Sequence, residues 1–131
     1  MLHMLYSSVK ENLTNMKKVT IIIPAYNEES VLSFLYERLL TLLDSLQNKY
    51  LFEILFINDG STDSTYEILK SFRKQDNRIN YIDFSRNFGK EIAMLAGLDY
   101  ATGDCIVFMD ADLQDPPELI PELLKYWEER I

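Results

Sequence analysis

The run Val19-Thr20-Ile21-Ile22-Ile23 is β-branched at every position and stops on Pro24. Branched side chains are stiff at χ1 and suit a pleated surface. With almost no polar alternation, such a strand is buried on both faces, which is the condition of the interior of a parallel sheet. Proline donates nothing to a ladder, so Pro24 is expected to end the strand. A parallel strand needs crossover connections, and the remainder of the chain must supply them.

The following residues do so in alternation. A helix is expected from about Ser30 to Gln47, with Val31, Leu35, Leu39, Leu42 and Leu46 on its inward face and Leu32 and Leu43 thickening it. Asn27 or Ser30 is positioned to cap it. Phe52–Asn58 reads as a second strand. Ser64-Thr65-Tyr66-Glu67 has capping-box spacing and opens a helix to about Gln75, with Ile68, Leu69 and Phe72 inward. Ile79–Asp83 is a third, shorter strand. A helix carrying Ile92, Leu95, Ala96 and Leu98 follows, which Gly103 would close in a left-handed conformation. Cys105–Met109 is the fourth strand. Asp115–Glu118 again has capping spacing, with prolines in the first turn. The last helix would face Leu119, Ile120, Leu123, Leu124 and Trp127 inward, with Pro121 at a kink or at the true helix start. The order β-α-β-α-β-α-β-α implies an α/β, Rossmann-like parallel sheet with helices on both faces.

At 131 residues the chain has the length of one domain. Residues 1–16 read as a peripheral lead-in without signal-peptide character, and 17–131 as the ordered domain. A net charge of −8 disfavours nucleic acid and anionic lipid as partners. No apolar run reaches the roughly 18 residues of a membrane span. The one cysteine, Cys105, excludes an internal disulfide, reads as a small core residue, and fits a reducing, cytoplasmic setting. The lone histidine, His3, falls in the lead-in and reads as incidental.

Every unusual polar cluster falls at the carboxyl end of an expected strand: Tyr26–Glu28, Asp59–Asp63, Arg86–Lys90 and Asp110–Gln114. In open parallel sheets that is where ligands bind, at the switch in strand order. With strand order 3-2-1-4, Tyr26 and Glu28 would lie beside Asp110 and Asp112. On an extended chain these two aspartates, one residue apart, point the same way. Paired hard oxygens there suit Mg²⁺ or Mn²⁺, and a cation would relieve their mutual repulsion. Taken singly, Asp59-Gly60-Ser61 also reads as a turn and cap, Glu28-Glu29 as first-turn acids, and Arg86 and Lys90 as solvated charges.

In series, Val19–Glu29, Asn58-Asp59-Gly60-Ser61-Thr62-Asp63, Ser85-Arg86-Asn87-Phe88-Gly89-Lys90 and Asp110-Ala111-Asp112-Leu113-Gln114-Asp115-Pro116-Pro117-Glu118 resemble family 2 glycosyltransferases of the GT-A fold. The resemblance is closest to the polyprenyl-phosphate sugar transferases, dolichol-phosphate mannosyltransferases and bactoprenol glucosyltransferases among them. It implies that Pro24, Ala25, Tyr26, Glu28, Asp59, Asp63, Lys90, Asp110 and Ala111 border the nucleotide, with Asp59 on the base. It also implies that Asp110, Asp112 and Gln114 hold a divalent metal on the sugar-nucleotide diphosphate. The implied reaction is inverting transfer from a nucleotide sugar, UDP-linked first and GDP-linked second, to a polyprenyl phosphate.

The family's domain continues well beyond its Asp-x-Asp, so the resemblance implies that this chain holds the donor half only. The acceptor half, any catalytic base and any C-terminal membrane anchor would lie elsewhere. Weak turnover and self-association through an uncovered edge are the expectations for such a half. A non-catalytic nucleotide-binding remnant is the main alternative. A haloacid-dehalogenase-type phosphatase is a weaker one, because Leu113-Gln114 replaces its glycine-containing continuation and its Asp-x-Asp normally sits on the first strand. A dinucleotide oxidoreductase is disfavoured, since no Gly-x-Gly-x-x-Gly follows the first strand.

Overall fold

The computed structural model describes residues 16–129. The readings of the lead-in and of His3 lie outside the described residues. Four parallel strands, β1 (Lys17–Ala25), β2 (Tyr50–Asn58), β3 (Ile79–Asp83) and β4 (Cys105–Phe108), form one sheet in the order β3-β2-β1-β4. The connecting helices are α1 (Leu32–Leu46), α2 (Thr65–Gln75) and α3 (Lys90–Tyr100); a 3₁₀ turn (Pro117–Leu119) leads into α4 (Ile120–Glu129). The expected class and strand order are those observed.

Coverage of the sheet is unequal. Val19, Ile21, Ile23, Phe52, Ile54, Phe56 and Val107 point to one face and pack with Leu32, Leu35, Leu39 and Leu43 of α1, Leu69 and Phe72 of α2, and Ile120 and Leu124 of α4. The rings of Tyr36 and Phe72 stack 4.1 Å apart where α1 meets α2. On the opposite face, Ile22, Leu55 and Ile57 meet Ala93 of α3 in a much smaller cluster. Small residues Ala93 and Gly97 are the buried positions of α3, whereas Ile92, Leu95 and Leu98 are exposed. This helix therefore presents its large apolar side chains outward and approaches the sheet through its small ones.

Pro24 does not end β1; the strand continues to Ala25, paired through Asn58 of β2. What ends there is the ladder to β4, whose last pair is Ile22 with Phe108, followed by the Met109 amide on the Ile22 carbonyl at 3.0 Å. Side chains and ladder bonds alternate along a strand, so Pro24 would be the next donor toward β4, and it has no N–H. The chain after Met109 is thereby free to leave the sheet.

Several local readings are corrected. Helix α1 buries Leu32, Leu35, Leu39 and Leu43, while Leu42 and Leu46 are only half-buried, so its inward stripe is rotated from the expected one. No side chain caps α1: the amides of Val31 and Leu32 bond the Glu28 carbonyl instead, and Val31 stands at the cap position. The Ser64–Glu67 capping box is not formed; Asp63 accepts the Thr65 amide at 2.9 Å and Glu29, from the β1 loop, accepts the Ser64 amide at 2.9 Å. In α4, Ile120 and Leu124 are buried but Leu119 and Leu123 are exposed, and Pro121 sits in the first turn, so it marks the helix start.

Gly103 is not left-handed. Its amide donates to Thr20 Oγ1 at 2.9 Å, and a Cβ there would stand 2.6 Å from that oxygen. Close approach, rather than positive φ, is what demands glycine here. The fully buried Thr20 hydroxyl in turn donates to Glu53, which also receives the amide and hydroxyl of Thr102. Burial would raise the Glu53 carboxyl, but these hydrogen bonds and the Lys18 ammonium outweigh it and hold it below the ordinary carboxylate range. The segment that returns from α3 to β4 is fastened to the sheet by this network.

At Gly97 an added Cβ would stand 2.5 Å from Cγ2 of the fully buried Ile22. Overpacking of this kind costs about 1–3 kcal/mol, against a gain of up to about 1 kcal/mol from alanine's helix propensity. Gly97→Ala is therefore expected to lower stability by about 1 kcal/mol, read as a lower midpoint in urea denaturation with an unchanged slope.

Candidate functional site

β1, β2 and β3 end level with one another while β4 stops earlier, and the loops leaving all four strands surround a crevice of about 320 Å³. The β1 loop contributes Pro24, Ala25, Tyr26 and Glu28; β2 contributes Asp59; the segment entering α3 contributes Asn87, Gly89 and Lys90; the segment after β4 contributes Asp110, Ala111, Asp112 and Gln114. All the expected site residues but one are brought together. The exception is Asp63, which is absent from the lining: its carboxylate accepts the Glu29 and Thr65 amides at 3.2 and 2.9 Å. Burial pushes its proton affinity up, yet those hydrogen bonds prevail and lower it. Asp63 fastens the β1 loop to the start of α2.

Asn27 performs a related task. It adopts φ 51°, and its amide oxygen accepts the Thr62 backbone amide at 2.8 Å. Asparagine tolerates the left-handed region better than most residues. This bridge joins the β1 and β2 loops and leaves Tyr26, 45% exposed, with its ring available on the crevice wall.

Asp59 is 3% exposed and binds the next loop rather than solvent. Its Oδ1 accepts the Phe88 amide at 2.7 Å, and its Oδ2 accepts the Gly89 amide at 3.1 Å and the Asn87 Nδ2 at 3.3 Å. A carboxylate offers about four lone-pair sites, so roughly one remains for a ligand. Gly60, at φ 71°, lies so close to this loop that a Cβ would fall 2.2 Å from the Arg86 carbonyl carbon. Neither Asn87 nor Gly89 was singled out from the sequence as a lining residue. Their signal was their place in Ser85–Lys90, at the carboxyl end of β3.

The expectation that Asp110 and Asp112 converge through strand alternation is corrected. β4 ends at Phe108, and both aspartates lie in the irregular segment beyond it. Leu113 adopts φ 65°, a strained conformation for a bulky residue. That reversal lets Gln114 return upon Asp112, its amide donating to Oδ1 at 3.2 Å and its Nε2 to Oδ2 at 2.8 Å. Both carboxylates reach the crevice by a turn, not by the period of a strand. Asp110 pairs with the Lys90 ammonium at 2.5 Å. That contact raises the Lys90 proton affinity, against a small opposing effect of burial.

Four carboxylates, those of Glu28, Asp59, Asp110 and Asp112, thus face one ammonium in the lining. The crowding registers on Glu28, whose proton affinity is raised by burial first and then by Asp112, Asp63 and Asp110. Among the described residues no three His, Cys, Asp or Glu side chains form a ready-made metal cluster. The hard oxygens of Asp110 and Asp112, with the Gln114 amide oxygen, still fit Mg²⁺ or Mn²⁺, ions that commonly take one or two carboxylates and complete their shell with phosphate and water. The half-buried Cys105 lies away from the lining, and burial raises its thiol, as befits an inert side chain.

A parallel sheet in the order β3-β2-β1-β4 with a polar crevice at its switch point is a Rossmann-like α/β arrangement, and it matches GT-A glycosyltransferase structures. The family description "Glycosyl transferase family 2" matches residues 20–130, and the chain belongs to that family. An uncharacterized glycosyltransferase of Bacillus subtilis is 53% identical over 110 residues, 84% of this chain and 33% of that protein. A prophage bactoprenol glucosyl transferase homolog of Escherichia coli is 43% identical over 111 residues, 85% of this chain and 36% of that protein. The chain thus spans about a third of the length of the curated relatives it matches. Among solved structures, S. aureus TarS 1–349 in complex with UDP-GlcNAc aligns with TM-score 0.69 and 26% identity, over 86% of this chain and 31% of that one.

Two expectations test this geometry. In chelator, the folded state holds a proton on Glu28 to higher pH than the unfolded chain does, so stability falls as pH rises from the ordinary glutamate value of about 4.3 to the raised one. Glu28→Gln should therefore melt higher than the parent at pH 7, with the difference closing below about pH 4 in circular-dichroism melts. Asp59→Asn should cost about 1–3 kcal/mol through unsatisfied loop amides, and speed hydrogen exchange at Phe88 and Gly89 while sparing β1.

Proposed function

We propose that this domain binds the nucleoside diphosphate of a sugar nucleotide, UDP-linked first and GDP-linked second, and forms the donor side of an inverting, metal-dependent glycosyltransferase. The reading rests above all on one observation: a crevice with one ammonium and four carboxylates also carries an exposed aromatic ring and the buried Asp59. A doubly charged diphosphate does not enter so acidic a pocket unaided, because like charges at close range repel strongly. Asp110, Asp112 and the Gln114 amide oxygen would hold the required Mg²⁺ or Mn²⁺. That cation supplies neutralisation of the charge developing on the leaving diphosphate.

The chain's own side chains fill the other roles. Tyr26 offers a face on which a base can stack, and Asp59 retains about one lone-pair site for a base N–H. A single remaining acceptor suits uracil, which has one imide N–H. Pro24 and Ala25 form an apolar floor, and Lys90 at the start of α3 adds positive charge beside the phosphates. The acceptor in this reading is a polyprenyl phosphate, in keeping with the bactoprenol glucosyl transferase homolog among the relatives. A phosphate monoester is largely ionised at neutral pH, its second pKa being about 6, so it attacks without strong general-base assistance. In-line attack on the anomeric carbon forms the new sugar–phosphate bond as the bond to the nucleoside diphosphate breaks, with inversion.

The whole protein would work at the cytoplasmic face of a membrane. No helix among the described residues is long and apolar enough to cross one. The 131-residue chain by itself is expected to bind donor and transfer sugar slowly.

Calorimetric titration of UDP and GDP, with and without Mn²⁺, provides the test. Binding should require metal, favour UDP, and weaken at least tenfold in Asp112→Ala, the loss of one charged metal ligand costing about 1.4 kcal/mol or more. Equal affinities with and without Mn²⁺ in the parent chain would refute the metal-dependent reading.

A further inference from the structure

Lys90 occupies the first position of α3. A cation at a helix N-terminus opposes the helix dipole, which favours anions there. Glu91 is the acid of the first turn, but the partner of the ammonium is Asp110, from a different loop, and Asp112 and Asp115 add weaker attraction. The backbone from which Lys90 projects is not free to drift. The Phe88 and Gly89 amides and the Asn87 side chain are fixed on buried Asp59, and Gly60 closes against Arg86 and Asn87. The Lys90 side chain is 58% exposed, with its ammonium on a long flexible stem held through the contact to Asp110. An anchored base with a movable charged tip is an arrangement suited to exchange.

We propose that Lys90 is an exchangeable internal counter-ion. Its ammonium neutralises Asp110; when a divalent cation takes Asp110, the ammonium is displaced toward the anionic phosphates of the nucleotide. The inference rests on the metal reading of Asp110 and Asp112. Two opposite effects of one side chain follow. Lys90 competes with the metal in the absence of nucleotide, and it assists the nucleotide once metal is bound.

The test titrates Mn²⁺ alone, and then UDP at saturating Mn²⁺, into the parent chain, Lys90→Met and Lys90→Arg. Exposed ion pairs contribute modestly, so Lys90→Met should bind Mn²⁺ alone roughly two- to fivefold more tightly. The same variant should bind UDP in Mn²⁺ more weakly, by about fivefold or more, for want of a charge-assisted contact. Lys90→Arg keeps the charge and should stay near the parent in both titrations. This opposite pair of shifts would not arise from a general loss of folding, which weakens both; circular dichroism checks that each variant is folded. Unchanged or weaker Mn²⁺ binding by folded Lys90→Met, with the parent binding normally, overturns the exchange and leaves the metal reading standing. Absence of Mn²⁺ binding in the parent, with and without UDP, overturns both.

Discussion

The buried carboxylate of Asp59 is the contact on which the upper surface of this domain depends. A charge that is 3% exposed is expensive unless its lone pairs are occupied. Here the occupants are backbone amides of a loop 28–30 residues later in the chain. The same bonds that satisfy the charge thus decide where α3 begins and where Lys90 is planted. Asn27 and Asp63 do the equivalent work between the β1 and β2 loops. Short polar side chains, each spent on main-chain groups of a neighbouring loop, convert four separate strand ends into one wall.

That wall is electrostatically unfinished. Carboxylates converge on it from β1, β2 and the segment after β4, and burial first, then these neighbouring charges, raise the proton affinity of Glu28. Structural acids on a surface rarely crowd in this way without a partner. The strained backbone at Leu113 points in the same direction, since it is the bend that turns Gln114 back onto Asp112. In the proposed reading this crowding lies where a sugar nucleotide would be handled, and the chemistry of the residues says why a cation would be welcome there.

The sheet was readable from the sequence because β-branched runs and leucine spacing report burial directly, and strand ends coincided with polar clusters. That these polar clusters line one crevice was readable for the same reason. What could not be read was how each polar side chain is employed. Ser64-Thr65-Tyr66-Glu67 has the spacing of a self-contained cap, yet Glu29 and Asp63 take the amides, because a competing acceptor from another loop is invisible in a local window. Gly103 has the position of a helix terminator, but the approach of Thr20, 83 residues earlier, is what excludes a side chain. The outward leucines of α3 misled periodicity, since close approach to the sheet favours Ala93 and Gly97 over larger residues. The aspartate pair reached its destination by a turn that strand alternation could not anticipate.

Strand β4 is an edge strand whose ladder to β1 covers only four residue pairs, whereas β1 and β2 share nine. A short edge pairing leaves β4 and the segment it carries with fewer ladder contacts to resist local opening than the β1–β2 pair has. A ligand gripping residues from both β1 and the β4 segment would act as a clasp across that seam. Occupancy would then be felt as rigidity along β4, and the pocket would be most firmly shaped when it is full.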